Sequence, residues 1–419
     1  MSELIIPTPE AEPWPTLGPG VCSFIEEYLI HGPGDLRGEP VHLSQEQRAL
    51  IYRLYEVYPE DHLQAGRRRF KRAALSLRKG SGKTEFAAWI AACELHPDAP
   101  VRCTGWKGGK PIGGGVTDPY IPLVAYTEEQ SEELAYGTLY VVLSEGPLAD
   151  DFDIGLGRIM RRSGDGKAVA LATAPDARDG ARTTFQVFDE THRFTLPRLR
   201  EAHRTMMANL PKRKIADSWS LEVTTAPAPG EGSVAEATMD YAKAVAEGKV
   251  SDSRLFFFHR QASDGHDLTT ESGIRSAVLE ASGSVAEWSD IEAITSQWND
   301  PTTDRAYLER VWLNRLVKAT ERAFDAERWK ELATPETTIE AKEMITLGFD
   351  GSRSVDATAL VGTHIRTGYQ WPIGIWERPP GRQEWAAPEE EVDAAMSYAF
   401  GQWKVWRLYA DPYYWESWL

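Results

Sequence analysis

The stretch AALSLRKGSGKTEFAAWIAAC (73–93) constrains the fold more than any other part of the chain. An apolar strand runs through a glycine-rich turn into a long apolar helix. Backbone N–H groups in such a turn, backed by the positive end of the helix, form a nest for anions. The turn supplies Arg78, Lys79, Gly80, Ser81 and Gly82; Lys83 is then expected to reach the β- and γ-phosphates of ATP, and Thr84 to hold Mg²⁺. The usual spacing asks for glycine at position 77, where this chain has Leu77.

A strand placed ahead of a phosphate loop needs parallel neighbours, and the sequence provides them. The runs YIPLVAY (120–126), AVALAT (168–173), TTFQVF (183–188) and SWSLEVTT (218–225) read as short strands, separated by helices predicted over 83–95, 128–143 and 197–209. Short apolar strands alternating with helices indicate a parallel sheet covered on both faces. The expected class is α/β: a doubly wound P-loop NTPase core of the ASCE, RecA-like kind over 41–232. Residues 1–40, rich in Pro and Gly, read as an N-terminal arm. A helical lid or linker with one strand, RLFFFHR (254–260), is expected over 233–335, and a second α/β domain over 336–419. The helix LSQEQRALIYRLYEV (43–57) opens the core with Ser44 at its N-cap.

Composition narrows the class. With 419 residues there is room for two or three domains, and three cysteines are too few for a disulfide framework or a four-thiolate zinc site. No run of about 18 apolar residues and no signal peptide is visible, so an intracellular location without membrane association is expected. The net charge of −17 argues against indiscriminate coating of nucleic acid, while leaving room for a local basic channel.

The next signal is VFDETH (187–192). Asp189 at a strand end beside the phosphate loop is placed to position Mg²⁺, and Glu190 to polarise an attacking water. His192 reads as a surface or capping residue. Thr224 and Thr225 end the following strand, where a hydroxyl can sense the γ-phosphate. Gln47 offers an amide donor and acceptor to an adenine edge. Arg78, Arg158, Arg161, Arg162 and Arg182 are candidates for stabilising transition-state charge, with RIMRR (158–162) the candidate for reaching a neighbouring subunit.

In this order the residues resemble the large terminase subunit of tailed bacteriophages, the motor that packages DNA into capsids. The resemblance rests on LSQEQRALIYRLY, LRKGSGKTE, LVAYTEEQSEELAY, VFDETH, VTTAP and WLNRLV (312–317), and covers most of the chain. The deviant loop without its first glycine is usual in that family. The resemblance implies ATP hydrolysis coupled to translocation of double-stranded DNA, in the host cytoplasm and transiently at the portal of a procapsid. It also implies a small terminase subunit as partner and a homo-oligomeric ring, a pentamer, on the portal.

It further implies an RNase H-like nuclease behind the motor. Asp350, ending ITLGFD, matches the first metal ligand and Asp411, in LYADPYYW, the second. Carboxylates on neighbouring strands can share Mg²⁺ or Mn²⁺ ions that clamp a phosphodiester. Asp356 either assists or caps a turn. The family's third acid lies further on than Leu419, so the nuclease is expected to be incomplete here and to cut DNA poorly or not at all.

Basic runs suited to DNA phosphates are RRRFKR (67–72), RIMRR, RLREAHR (198–204) and KRK (212–214). Two rival readings remain from the sequence: a helicase-type or small-molecule phosphotransfer P-loop enzyme, and a catalytically inert P-loop scaffold.

Overall fold

The computed structural model describes residues 2–126, 135–171, 180–317, 332–334, 336–351, 357–377 and 385–411. Residues 128–134 of one expected helix, 172–173 of an expected strand, and Asp356 lie outside these. The chain divides into two compact units, Met1–Arg322 and Ala323–Leu419.

The first unit opens with β1 (Glu3–Ile6), α1 (Gly18–Tyr28) and α2 (Gln45–Leu54). Next come β2 (Arg72–Ser76), α3 (Lys83–Leu95), a hairpin of β3 (Arg102–Lys107) and β4 (Lys110–Gly114), and β5 (Tyr120–Val124). After α4 (Ala135–Ser144) follow the short strands β6 (Phe152–Ile154), β7 (Arg158–Arg161) and β8 (Lys167–Leu171). The order continues with β9 (Phe185–Asp189), α5 (Pro197–Asn209), β10 (Trp219–Thr224), α6 (Val234–Ala246) and β11 (Leu255–Arg260). Among the described residues, the helices α7 (Glu271–Ser282), α8 (Ile291–Ser296) and α9 (Arg305–Trp312) follow.

Nine strands form one sheet in the order β1-β11-β2-β10-β9-β5-β8-β7-β6. The six from β11 to β8 are parallel, and β1, β7 and β6 run against their neighbours at the two edges. Central strands β9 and β10 are buried along their whole length, as strands covered on both faces must be. Helix α3 lies in the main core with Phe86, Trp89 and Ile90 buried, and its small alanines let it sit close to the sheet.

Two features depart from the sequence reading. The Pro/Gly-rich start is not only an arm: α1 buries Val21, Cys22, Phe24 and Ile25 in the main core. Its proline falls in the first turn, where no N–H is needed, and Gly18 permits close approach to α2, since a Cβ there would lie 2.6 Å from the Tyr52 Cα. Strand β11, expected in the lid, pairs with β2 in the main sheet because Leu255 to Phe258 is apolar enough to be buried on both faces.

The basic run 67–72 is mainly structural. Arg68 lies 3.9 Å over the buried Trp219 ring, Arg69 pairs with Glu56 at 2.8 Å, Lys71 pairs with Asp217, and Arg72 pairs with Glu222 at 2.8 Å. Likewise the first four residues of RIMRR form β7, with Arg161 buried against Asp165 at 3.2 Å.

The second unit is a four-stranded sheet in the order β14-β13-β12-β15. Strands β12 (Met344–Asp350), β13 (Thr358–His364) and β14 (Gln370–Trp376) form an antiparallel meander. Helix α10 (Glu389–Gln402) then returns the chain so that β15 (Lys404–Ala410) lies parallel to β12. Ile345, Leu347, Leu360, Val392 and Trp403 form its core.

Candidate nucleotide site

All six parallel strands point the same way, so the loops after β2, β9 and β10 meet at one end of the sheet. That end is where an open α/β sheet binds its ligand. The turn after β2 passes through Gly80 (φ 71°) and Gly82 (φ 69°), left-handed conformations that glycine adopts without strain, and α3 begins at Lys83.

Opposite this turn, β9 ends in Asp189. Thr84 Oγ1 donates to Asp189 Oδ2 at 2.9 Å, while the buried Lys83 Nζ lies 3.2 Å from Glu190 Oε1. Glu190 takes a left-handed backbone (φ 58°) and its N–H donates to Val223 O at 2.8 Å. This kink at the strand end turns Glu190 toward Lys83, while Asp189 stays buried.

The two acids sit in different electrostatic states. Burial and the neighbouring Glu190 charge push Asp189 up to about 7, against the pull of Lys83 and Thr84. Burial also pushes on Glu190, but Lys83 and His192 outweigh it and hold that carboxylate at about 2. Two buried oxygens here, Asp189 Oδ1 and Ser81 Oγ, have no hydrogen-bond partner among the described residues. Buried polar atoms are rarely left so, and a loop of this shape with such atoms suits an anion together with a cation.

His192 is more than the surface or capping residue expected from sequence. Its Nδ1 lies 3.0 Å from Glu190 Oε2 and 3.2 Å from both Thr224 Oγ1 and Thr225 Oγ1. The only sequence signal for this was its position three residues after Asp189.

Other candidates are placed differently. Arg78 turns away from the turn's mouth: Nε donates to Ser282 Oγ at 2.6 Å, Nη2 to Ser289 Oγ at 2.5 Å, and Nη1 to Lys79 O at 2.7 Å. Lys79 N–H donates to Val311 O at 2.8 Å, so the loop is fastened to the segment from α7 to α9. Gln47 Oε1 accepts from Ser44 N at 2.9 Å in a capping box, which occupies its acceptor. Arg158 lies toward the same end of the sheet as the phosphate loop, five strands from β2, and Arg162 Nε donates to Phe152 O at 3.1 Å. Arg182 precedes β9, at the opposite end of the strand from Asp189.

In the second unit, Asp350 ends β12 and Asp411 follows β15, its neighbour. Phe349 pairs with Ala410, and Asp411 N–H donates to Phe349 O at 3.2 Å. Both acids are exposed at the same strand ends. Among the described residues no group of three or more potential metal-ligating side chains occurs, and no helix is long and apolar enough to cross a membrane.

The fold is shared with a known protein. The HK97 bacteriophage large terminase superimposes with a TM-score of 0.53 and 17% identity, over 96% of this chain and 81% of that one. The chain thus has the fold of a phage large terminase. By sequence it is 26% identical to the Gene 13 protein of Mycobacterium phage D29 and 25% identical to that of Mycobacterium phage L5, in each case over 97% of this chain and 75% of the relative. No family model matches.

Proposed function

We propose that this chain is the large terminase subunit of a tailed phage, an ATPase that drives double-stranded DNA into a procapsid. The observation that carries the reading is the facing of loop and acids: Thr84 on Asp189 at 2.9 Å and Lys83 on Glu190 at 3.2 Å. A phosphate nest, a cationic side chain, a hydroxyl beside one acid and a second acid held ionised are the parts that phosphoryl transfer to water requires.

In this reading Gly80 to Thr84 cradle the triphosphate through backbone N–H groups, and Lys83 leaves Glu190 for the β- and γ-oxygens. Freed of Lys83, Glu190 orients and polarises the attacking water as general base. The orphaned Asp189 Oδ1 and the Thr84 hydroxyl fit Mg²⁺. That ion, when bound, neutralises phosphate charge and keeps Asp189 ionised. Thr225, Gln47 and Arg78 were read from sequence as nucleotide contacts; Arg78 and the Gln47 carbonyl oxygen are already engaged within the protein, so Lys83 is the cation assigned to the phosphates.

The test is ATP turnover by the purified chain, with Lys83→Ala and Glu190→Gln as controls. Loss of the general base lowers kcat by about 10²- to 10⁴-fold. Stimulation by duplex DNA or empty procapsids supports the packaging motor. Stimulation by single strands alone favours a helicase, and turnover indifferent to both substitutions leaves an inert scaffold.

The reading extends to partners and to the second unit: a portal, a small terminase subunit and a ring of identical chains in the host cytoplasm. Asp350 and Asp411, at the neighbouring ends of two parallel strands, are proposed as ligands of Mg²⁺ or Mn²⁺ in an RNase H-like nuclease. Weaker Mn²⁺ binding in Asp350→Asn, read by calorimetry, checks that assignment.

A further inference from the structure

Glu190 is held from two sides. Lys83 Nζ is 3.2 Å from Oε1, and His192 Nδ1 is 3.0 Å from Oε2. An ionised carboxylate only accepts, so the contact at 3.0 Å favours the tautomer with its hydrogen on Nδ1, and a ring nitrogen carries only one hydrogen. Yet three oxygens face it: Glu190 Oε2, Thr224 Oγ1 at 3.2 Å and Thr225 Oγ1 at 3.2 Å.

The surroundings fix this competition. The His192 backbone N–H donates to Thr224 Oγ1 at 3.0 Å, and the Thr224 hydroxyl gives its own hydrogen to Thr225 O at 2.9 Å. Both threonines are buried, and the short 3-10 turn Thr191–Arg193 folds His192 back over the end of β10. Glu190 is the member of the group whose side-chain partner is recruited elsewhere once phosphate takes Lys83. Moving its carboxylate leaves the Nδ1–H to Thr224 and Thr225.

Resting on the ATP-hydrolysing reading above, we propose that His192 is a positioning residue that exchanges its one Nδ1–H between Glu190 and the threonines ending β10. With the site empty, it and Lys83 hold Glu190 from both sides. When Lys83 goes to the phosphates, the Nδ1–H alone aims the carboxylate at water; when the carboxylate then moves, that hydrogen turns to Thr224 and Thr225. Thr225 immediately precedes Ala226, whose N–H donates to the buried Asn314 Oδ1 at 2.6 Å. Asn314 also donates to Ser76 O at 3.0 Å, at the entrance to the phosphate loop.

The experiment compares wild type, His192→Ala, His192→Asn and Lys83→Ala in the full chain, by steady-state ATP hydrolysis and by binding of a non-hydrolysable ATP analogue. Asn carries an amide nitrogen where His has Nδ1. His192→Ala should lower kcat about 10- to 100-fold, the scale of a misplaced catalytic group. KM and analogue affinity should stay within about twofold, and His192→Asn should recover most of the rate. Lys83-dependent turnover that His192→Ala leaves unchanged overturns this assignment alone. Lost turnover that Asn does not restore, accompanied by weakened analogue binding, marks general damage and also overturns it. Wild-type turnover indifferent to Lys83→Ala removes the ATP-hydrolysing reading, and the His192 role with it.

Discussion

Arg78 is a buried cation whose hydrogen-bond partners, among the described residues, are two serine hydroxyls and a backbone carbonyl. Burial alone pushes its guanidinium down to about 10. Arg78→Ala removes both serine bonds and should cost on the order of 3 kcal/mol in a urea melt. Arg78→Lys should recover only part, because one ammonium lacks the fork that spans Ser282 and Ser289. Glu222 is the opposite case, a buried acid with charged partners. Burial would raise it, but Arg72 and His203, with Thr238 donating at 2.9 Å, hold it at about 2. Its folded-state value lies below the usual 4.5, so the stability it adds is present above pH 4.5 and is lost as pH falls toward 2. Glu222→Gln should lower stability at pH 7 by on the order of 3 kcal/mol and flatten the acid limb of a stability-versus-pH curve. The Lys83, Thr84, Asp189 and Glu190 cluster was legible from sequence because backbone spacing alone carries it. The roles of Arg78 and His192 were not, because a long or bent side chain chooses its partners from elements remote in sequence.

At the scale of elements, Asn314 joins three strand ends. It accepts from Ala226 N after β10, and donates to Ser76 O at the end of β2 and to Arg260 O at 2.7 Å at the end of β11. It adopts a left-handed backbone (φ 52°), which asparagine tolerates better than most residues. Asn314→Ala leaves these buried backbone groups without partners and should cost about 3 kcal/mol or more by thermal or chemical denaturation. The alternation of strands and helices from β2 to β10 followed from apolar runs bounded by turn residues. Helix α1 did not, since Pro and Gly mark breaks in sequence, and only its packing on α2 shows that they begin a helix. The β3–β4 hairpin also escaped notice, because WKGGKPIGGG lacks the β-branched, alternating pattern that announces strands.

The whole molecule carries 46 basic and 63 acidic side chains, and several of the basic runs are spent internally. With Arg68, Arg69, Lys71, Arg72 and Arg161 engaged in ion pairs, the exposed basic residues of the proposed DNA-facing segments are Arg158, Arg162, Arg198, Arg204, Lys212 and Lys214. Charge reversal at Arg198 and Arg204 should reduce stimulation of ATP turnover by duplex DNA while leaving the DNA-free rate in place. Stimulation in the unaltered chain should fall steeply as salt rises from about 50 to 200 mM, as neutralisation of backbone phosphates requires. A titration of turnover against DNA at several salt concentrations checks both.

The bond from Lys79 N–H to Val311 O, at 2.8 Å, makes one amide a gauge of how the phosphate loop and the last turn of α9 stay joined. Deuterium uptake at that amide reports their parting directly, without a dye or an engineered label. A slower uptake when nucleotide is added would mean that ligand tightens this seam, and a faster one that it pries the seam open.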